Sequence, residues 1–355
     1  MPPSTLLSPS ELSYLHSSLS LDLPIRPDAR SPTTFRPLVA ETDLLPTTNG
    51  SARLCFADGS EAIVGVKAEV ERTIGASSTS SDVFARGEDG DGDTKMQSAE
   101  EEMNEERRRL ARGKGQDSWI EVTIDMPGFA RDDDGVVVFL AQMLQEGLVA
   151  DEGLRDRLWI GWGWHWRIYV DILLLTTPNS YPLPLLSLTT HLALLATRLP
   201  APISRIDEDP LFNDDWDAAE PLYPPSGSAH ASKPPFTLLV ISVEDNIFFD
   251  PSREELAVAD AVCAVTVGTI DAPVSSGKRR EGTPKLRLLS LRIIDPPARL
   301  AAATSGTEAE DDQGAWRPAR GGMKRAVVGK MVKVVLEVGG VGEEVMTGLE
   351  GFHDG

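Results

Sequence analysis

The chain has little cysteine, with only Cys55 and Cys263 among its 355 residues. Each lies in an apolar run (ARLCFA and DAVCAVTV), and neither belongs to a CxxC pair or has a histidine close by in sequence. This spacing argues against a disulfide framework and against a zinc site built on thiolates. We therefore expect a reduced intracellular protein with two buried thiols.

Basic residues are scarce relative to acidic ones. The chain has 34 Lys and Arg against 55 Asp and Glu, which gives a formal charge of −21 and a pI near 4.6. A surface that holds nucleic acid by releasing counterions needs clustered Lys and Arg. The composition argues against such a surface, so partner proteins would have to supply much of the positive charge if RNA is bound.

Long apolar runs and catalytic motifs are also missing. No run reaches the roughly 18 residues of a membrane span, and the N-terminus lacks the regions of a secretory signal, so we expect a soluble, nucleocytoplasmic protein. There is no P-loop, GxSxG, HExxH, or GxGxxG after a strand. The acids at 132–134, 214–215 and 87–93 fit solvated loops better than metal sites, so we predict no metal and no cofactor.

Polar segments divide the chain. We predict that residues 75–118 form a flexible insertion with a short charged helix at Glu100–Leu110, because the segment is rich in Ser, Gly, Asp, Glu and Arg. Similar polar segments occupy 224–235, 271–284 and 302–318. Long insertions of this kind are tolerated in surface loops, because loop closure costs little per added residue.

The remaining segments carry strand and helix patterns. Alternation predicts strands before and after the turn dipeptide Asp58-Gly59, and Ser252 and Glu255 form a capping box that begins a short helix. The pattern predicts an α/β protein of α+β type, with two related units of mixed sheet and helices. The predicted strands are 35–43, 52–56, 62–68, 120–126, 164–174, 236–243, 246–249, 263–270 and 286–294, and the predicted longer helices are 136–148, 185–199 and 321–336, the last with Val327, Met331 and Val334 inward.

The stretch from Trp159 to Leu175 (WIGWGWHWRIYVDILLL) allows three interpretations: a stacking platform for bases, a metal or cofactor pocket, or a core strand. A stacking platform would need basic residues between the aromatics, and only Arg167 is present. A metal site would need a second ligand at metal spacing beside His165, and none is there. Alternation from Trp164 to Leu174 favours a half-buried strand, with Trp162 in a turn as the most exposed tryptophan.

Several phrases, in order along the chain, resemble the RNase PH superfamily, and within it the exosome core ring subunits of non-catalytic type. The resemblance implies the RNase PH-like fold, with two related units assembled pairwise into a hexameric ring. It covers residues of about 10 to 350, and its most specific part ends at Val70. The phrases are Ile25–Arg30 with Phe35–Pro37, Asn49–Arg53, Ile63–Val70, Trp166–Ile172, Asp250–Glu255 and the glycine-bearing helix near Gly321.

Departures from the family pattern bear on catalysis. Active members place an acidic residue just beyond the strand that matches 166–175, whereas Asn179 to Leu199 contains no Asp or Glu. Non-catalytic archaeal-type subunits keep a Gly-Asn-x-x-Asp-Ala phrase there, of which only Asn179 remains. Those subunits also lend basic residues to the RNA path, but Met143 to Leu154 has none. The resemblance therefore implies an inactive ring subunit without a general acid or metal ligand.

The resemblance also implies partners and domain limits. The expected partners are other RNase PH-like ring subunits, S1/KH cap subunits and single-stranded RNA in the assembled channel, in the nucleus, nucleolus and cytoplasm, with no membrane. Residues 1–34 are expected to form an extension and first ring-contact segment, 35–200 the first domain, 201–235 a linker and 236–355 the second domain.

Five basic residues of the matched block are candidates for RNA or interface contacts: Arg26, Arg30, Arg36, Arg53 and Lys67. Structural ion pairs or subunit contacts are the alternative for all five. Two other functions stay open at this point. One is an active phosphorolytic 3'-5' exoribonuclease in which Asp171 replaces the missing acid. The other is an interaction protein outside the exosome whose acidic insertion 75–118 binds a basic partner.

Overall fold

The computed structural model describes most of the patterned segments and little of the polar insertions. The described residues are 7–73, 115–127, 134–161, 163–176, 179–204, 206, 208–224, 232–269, 286–294 and 323–353. The predicted helix at Glu100–Leu110, the polar segments 271–284 and 302–318 and the turn residue Trp162 lie outside them. None of the described helices combines the length and the apolar content that a membrane crossing needs.

The described helices and strands are numbered here in chain order. The helices are α1 (Pro9–Leu19), α2 (Asp134–Val149), α3 (Glu152–Arg157), α4 (Leu183–Ala196), α5 (Arg253–Val258), α6 (Arg325–Leu336) and α7 (Val341–His353). The strands are β1 (Leu38–Thr42), β2 (Gly50–Phe56), β3 (Glu61–Arg72), β4 (Ile120–Asp125), β5 (Trp159–Gly161), β6 (Trp164–Leu174), β7 (Arg198–Leu199), β8 (Glu220–Pro221), β9 (Phe236–Val243), β10 (Asn246–Phe249), β11 (Ala261–Thr269) and β12 (Leu286–Ile294).

The first sheet has the order β1-β2-β3-β6-β4, with β5 paired to the start of β6. All of its pairs are antiparallel except β4 with β6. The hairpin between β2 and β3 is closed by Asp58 and Gly59, as predicted: Gly59 has a φ of 82°, and the Asp58 carboxylate accepts the Ser60 N–H at 2.9 Å. Glycine suits this position because it adopts positive φ without a steric penalty.

Strand β6, which forms most of the Trp159–Leu175 stretch, packs in the core. This confirms the prediction of a half-buried core strand. Trp166, Ile168, Val170 and Ile172 are buried on one face, while Asp171 on the other face is exposed. His165 is buried against Trp119, with ring centroids 4.2 Å apart, and its Nδ1 shares a hydrogen bond with Thr73 Oγ1 at 2.9 Å. It is a satisfied strand histidine, and burial lowers its pKa.

The second sheet has the order β10-β9-β11-β12 and is antiparallel throughout its described strands. Every residue of β9 is buried, as expected for a strand covered on both faces. The predicted capping box is present: Ser252 accepts the Glu255 N–H, and the Glu255 carboxylate accepts the Ser252 N–H at 2.8 Å.

Helix α4 lies between the two sheets and is buried along its whole length. Ser187 of α4 accepts the Thr237 N–H of β9 at 2.7 Å, and a Cβ on Gly50 of β2 would lie within 2.7 Å of the Thr197 backbone just after the helix. The predicted helix, 185–199, extends too far, because Thr197 is already extended and Arg198–Leu199 pair with β8. A helix without a polar face forms here because both sheets cover it.

The start of the helix predicted at 321–336 and the burial of Cys55 need correction. The helix predicted at 321–336 begins at Arg325, because Lys324 is extended. The three residues predicted to face inward do so: Met331 is buried, and Val327 and Val334 are partly buried against the core; Val335, which was not predicted, is buried as well. Cys263 is buried, and burial raises its pKa to about 11, but Cys55 is only partly buried. The apolar run around Cys55 misled the prediction, since β2 alternates and Cys55 lies on its more exposed face.

Candidate functional site

Three of the five candidate basic residues converge on one acidic centre. We call it the arginine–aspartate cluster, and its members are Arg26, Arg30, Arg36, Asp250 and Glu255. The arginines come from the irregular segment between α1 and β1, and the acids come from the turn after β10 and from α5. The cluster therefore joins the N-terminal segment to the second sheet.

Asp250 is the centre of the cluster. Its carboxylate accepts hydrogen bonds from Arg36 Nη2 at 2.6 Å and from Arg30 Nη1 at 2.8 Å, and it also accepts the Arg36 backbone N–H at 2.8 Å. Burial by itself raises the pKa of Asp250, but the hydrogen bonds and positive charges of Arg36 and Arg30 outweigh it, so the pKa lies below its ordinary value. Asp250 is thus held as a carboxylate.

Arg26 and Glu255 form a second, fully buried pair within the cluster. Arg26 Nε donates to Glu255 Oε1 at 2.7 Å and Arg26 Nη2 donates to Oε2 at 2.8 Å, a two-bond geometry that suits guanidinium and carboxylate. Arg26 also donates to the carbonyl oxygens of Ser31, Phe249 and Asp250. A buried charge is tolerated only when it is paired and hydrogen-bonded in this way.

Arg36 extends the cluster to the loop after β6, where the family resemblance places the catalytic acid. Its guanidinium contacts the Asp58 carboxylate, donates to Ser180 Oγ at 2.9 Å and lies 4.7 Å above the Phe56 ring. Asn179 in turn donates from Nδ2 to the Asp58 carbonyl at 3.2 Å. The Arg36 guanidinium, the Ser180 hydroxyl and the Asn179 amide thus hold this loop against the Asp58-Gly59 turn.

Arg53 and Lys67 lie elsewhere, on the outer face of the first sheet. Arg53 contacts Glu61 and, at 3.4 Å, Glu41, while Lys67 Nζ lies 2.6 Å from Glu69. These contacts raise the pKa of both basic groups. The structure therefore does not bring the five candidates together, and each of the five makes an ion pair within the chain.

Sequence reasoning missed Asp58 and Ser180 as partners of Arg36 and missed the role of Asp250 as acceptor. The available signal was that Asp250, Ser252 and Glu255 stand within the family phrase, next to a capping box. Asp171 lies on the exposed face of β6, opposite Gly65 and Thr123. Among the described residues, no group of three or more His, Cys, Asp or Glu side chains could hold a metal ion.

The helical segment before β5 carries two arginines beyond the stretch Met143–Leu154, which has no Lys or Arg. The first basic residues after Met143 are Arg155 and Arg157. Arg155 pairs with Asp117 at 2.8 Å, and Arg157 donates to the Leu222 carbonyl and to Ser232 Oγ. Both guanidinium groups are thus bound within the chain.

Comparison with known proteins identifies relatives along most of the chain. The chain is 29% identical over 278 residues to the exosome complex component RRP42 of Saccharomyces cerevisiae, covering 76% of this chain and 85% of that protein. It is 31% identical over 281 residues to the exosome complex component rrp42 of Schizosaccharomyces pombe, covering 74% of this chain and 78% of that protein. No model of a protein family matches the chain.

A solved structure described as an archaeal exosome core has the same fold. It aligns with a TM-score of 0.52 at 16% identity, over 95% of this chain and 96% of that one. This likeness confirms the predicted fold class, α/β of α+β type with RNase PH-like architecture. The identity to the fission yeast protein extends over more than two thirds of both chains, so the chain belongs to the Rrp42 family of exosome complex components.

Proposed function

We propose that the chain is a catalytically inactive structural subunit of the RNA exosome core ring. It supports 3'-5' processing and degradation of RNA, including rRNA maturation, by holding the ring together and shaping its RNA channel. The observation that carries this proposal is the loop after β6. Its polar residues, Asn179 and Ser180, bind Asp58 and Arg36, and Asn179–Leu199 has no carboxylate that could serve as acid or metal ligand.

A phosphorolysis assay tests the inactivity. The isolated chain is incubated with single-stranded RNA and inorganic phosphate, and the release of nucleoside diphosphates is measured. We expect no release above the protein-free blank, for the wild type and for Asp171→Asn alike. Release by the wild type that Asp171→Asn abolishes would show that the chain is an active nuclease with Asp171 as its acid.

We infer that the partners are the neighbouring RNase PH-like ring subunits and the S1/KH cap subunits. Single-stranded RNA is reached through the assembled channel, and the chain works in the nucleus, including the nucleolus, and in the cytoplasm. The net charge of −21 supports a scaffold role, since partners can supply the cations that RNA requires. The division into a first domain at 35–200, a linker at 201–235 and a second domain at 236–355 belongs to this proposal.

Residues 1–34 are the proposed first ring-contact segment. Leu23, Tyr14 and Ile25 are 85%, 78% and 62% exposed, and the Ile25 N–H donates to the Ser18 carbonyl, which fixes this segment against α1. Apolar side chains this exposed and this close in sequence mark a surface that a neighbour covers. Leu23→Asp should therefore weaken recovery of ring neighbours with the tagged chain, whereas Val338→Asp, at another exposed apolar residue, should not.

We propose that the five candidate basic residues support ring assembly or the RNA path by stabilising the surfaces around them. They are Arg26, Arg30, Arg36, Arg53 and Lys67. Their ion pairs within the chain favour the structural part of this role. Alanine variants at all five positions should lower ring assembly, RNA crosslinking or both. If both stayed unchanged, none of the five would belong to the functional site.

A further inference from the structure

A small cavity lies where α2, α4 and the second sheet meet. It gives the centre of a water-sized sphere about 10 Å³ of room. One water molecule in a protein interior needs roughly 10–15 Å³ on the same measure. The cavity therefore has room for a single water molecule and is too small for a larger ligand.

The lining of this cavity combines apolar and polar residues. Leu144, Gly147 and Leu148 of α2 and Pro235 form the apolar part. The polar part consists of hydroxyl residues that are at most 4% exposed, namely Ser187 and Thr190 of α4, Thr237 of β9 and Thr266 of β11. Buried hydroxyl groups are nearly always hydrogen-bonded, so the bonds of these four decide what the cavity can hold.

The hydroxyl group of Ser187 has a hydrogen that is not used. Its oxygen accepts the Thr237 N–H at 2.7 Å, and no acceptor for its own hydrogen is found among the residues that the structure describes. A buried hydroxyl hydrogen without an acceptor costs free energy, because water bonds to it in the unfolded chain. Ser187 is therefore a donor that needs an acceptor.

Thr237 and Thr266 together leave a second hydrogen unused. Their Oγ1 atoms lie 2.9 Å apart and either can donate, so one hydroxyl hydrogen is bonded between them and the other is not. Thr190 donates its own hydrogen to the Leu186 carbonyl at 2.8 Å, and its oxygen can still accept. The lining thus offers two donors and one acceptor.

Water is the ligand that matches this set. A water molecule both accepts and donates hydrogen bonds, and buried waters make about three bonds to polar groups that lack other partners. None of the described residues that line the cavity carries a charge, so neither an anion nor a metal cation would find a counter-charge there.

We propose that this cavity binds one water molecule as a fixed part of the fold. The water accepts hydrogen bonds from Ser187 and from Thr237 or Thr266, and it donates one to Thr190. It connects α4 to β9 and β11, in addition to the direct bond between Ser187 and the Thr237 N–H. The site does not depend on membership of the exosome ring.

Nuclear Overhauser transfer from water to leucine methyl groups tests the site. The full chain is deuterated, with 13C-labelled methyl groups on leucine, and the transfer is measured in the isolated chain. We expect cross-peaks from water to Leu144 and Leu148, which line the cavity, and none to Leu140, one turn earlier on the same face of α2. All three are buried, so bulk water does not explain such a difference. No cross-peak at Leu144 and Leu148 would show a dry cavity and overturn the proposal.

A double variant and its control separate a bound water from protons that exchange between bulk water and the hydroxyl groups. Thr190→Val with Thr266→Val removes two of the four hydroxyls and keeps the branched side-chain shape. Buried waters depend on such polar partners, whereas apolar cavities stay dry. The control is Thr189→Val, because the buried Thr189 hydroxyl donates to the Leu185 carbonyl at 2.7 Å and does not line the cavity.

We expect the double variant to weaken the cross-peaks from water to Leu144 and Leu148 at least about threefold, and the control to leave them unchanged. The Ser187 and Thr237 hydroxyls remain in the double variant, so a signal relayed by exchanging hydroxyl protons would persist. Cross-peaks of unchanged strength in the double variant would show that no water is bound as proposed.

A high-resolution density map of the native complex gives an independent measurement that needs no variant. We expect a peak in the cavity within hydrogen-bond distance of Ser187 Oγ and Thr190 Oγ1. A cavity without density in such a map would refute the water site, while the assignment to the exosome would stand.

Discussion

At the scale of single residues, Asp250 determines how the N-terminal segment is held. Its backbone has a φ of 47°, a conformation that Asn and Asp adopt more readily than most residues, and its carboxylate receives Arg30 and Arg36 together. Without that carboxylate, two cations would stay close together with little exposure to water. The placement of Arg30 and Arg36 therefore depends on this one negative charge.

Asp250→Asn removes the charge and keeps both the side-chain shape and the tolerance of positive φ. We expect the free energy of unfolding to fall by about 3 kcal/mol, because Arg30 and Arg36 would remain largely buried and would lose their shared buried counter-ion, keeping only the more exposed Asp28 and Asp58. Urea denaturation of the isolated chain measures the change. The matched control is Asp245→Asn; its carboxylate is 94% exposed beside Lys330, so its removal should change the stability far less than Asp250→Asn does. Equal effects of the two variants would contradict the account.

His191 is a buried histidine in the middle of α4. It is fully buried, its ring lies edge-on to Phe236 at 5.7 Å, and among the described residues neither ring nitrogen has a hydrogen-bond partner of good geometry. Burial lowers its pKa to about 4, with nearby Lys233 acting in the same direction, although the carbonyl groups of Pro234 and Pro235 partly oppose the shift. The folded protein therefore holds His191 neutral, while the unfolded chain protonates it below its ordinary pKa of 6.5.

His191 makes the stability of the chain depend on pH. Above pH 6.5 it does not affect the free energy of unfolding. Below pH 6.5 it lowers the free energy of unfolding, because the unfolded state binds a proton that the folded state excludes. Between pH 6.5 and 5 we expect a loss on the order of 2 kcal/mol from this group. His191→Leu should remove most of this loss, whatever its effect at neutral pH, whereas His16→Gln should not. Parallel pH profiles for the wild type and His191→Leu would count against the account.

At the scale of elements, α2 lies close to β11 at Gly147. A Cβ on Gly147 would lie 2.8 Å from Thr266 Cγ2, whereas a Cβ on Gly135 in the same helix meets nothing within 4 Å. Thr266 cannot turn away freely, since its hydroxyl shares a hydrogen bond with Thr237 at 2.9 Å. Glycine at 147 is therefore required by the contact between helix and second sheet, in spite of its low helix propensity.

Gly147→Ala should lower the free energy of unfolding by about 1–2 kcal/mol, because overpacking outweighs the gain in helix propensity. Adding Thr266→Ser removes the clashing methyl group, keeps the hydroxyl and should restore most of the stability. Gly135→Ala, the control in the same helix, should leave stability unchanged or raise it by up to about 1 kcal/mol. A Gly147→Ala chain as stable as the wild type in urea would show that the contact is looser than the structure indicates.

The local elements were predictable because their signals are local. The Asp58-Gly59 turn, the Ser252 capping box and the alternation in β6 each occupy a few neighbouring residues and recur in the structure. The exact end of α4 was not predictable, since Arg198–Leu199 leave the helical pattern in order to pair with β8.

At the scale of the whole molecule, the arginine–aspartate cluster shows what the sequence could not supply. Arg26 and Glu255 are separated by 229 residues, and Arg36 and Asp250 by 214, so no local pattern predicts their pairing. The resemblance singled out Arg26, Arg30 and Arg36, but it did not indicate that all three would bind Asp250. Only the packing of the N-terminal segment across the turn after β10 brings them together.

The central claim, membership of the exosome ring as a structural subunit, is tested most directly by purifying the tagged chain from its native cells. Quantitative mass spectrometry then measures what stays bound through moderately high salt. The account predicts five other RNase PH-like proteins and the S1/KH cap proteins in amounts that match the tagged chain. Recovery of the chain alone, or with an unrelated basic partner, would contradict it.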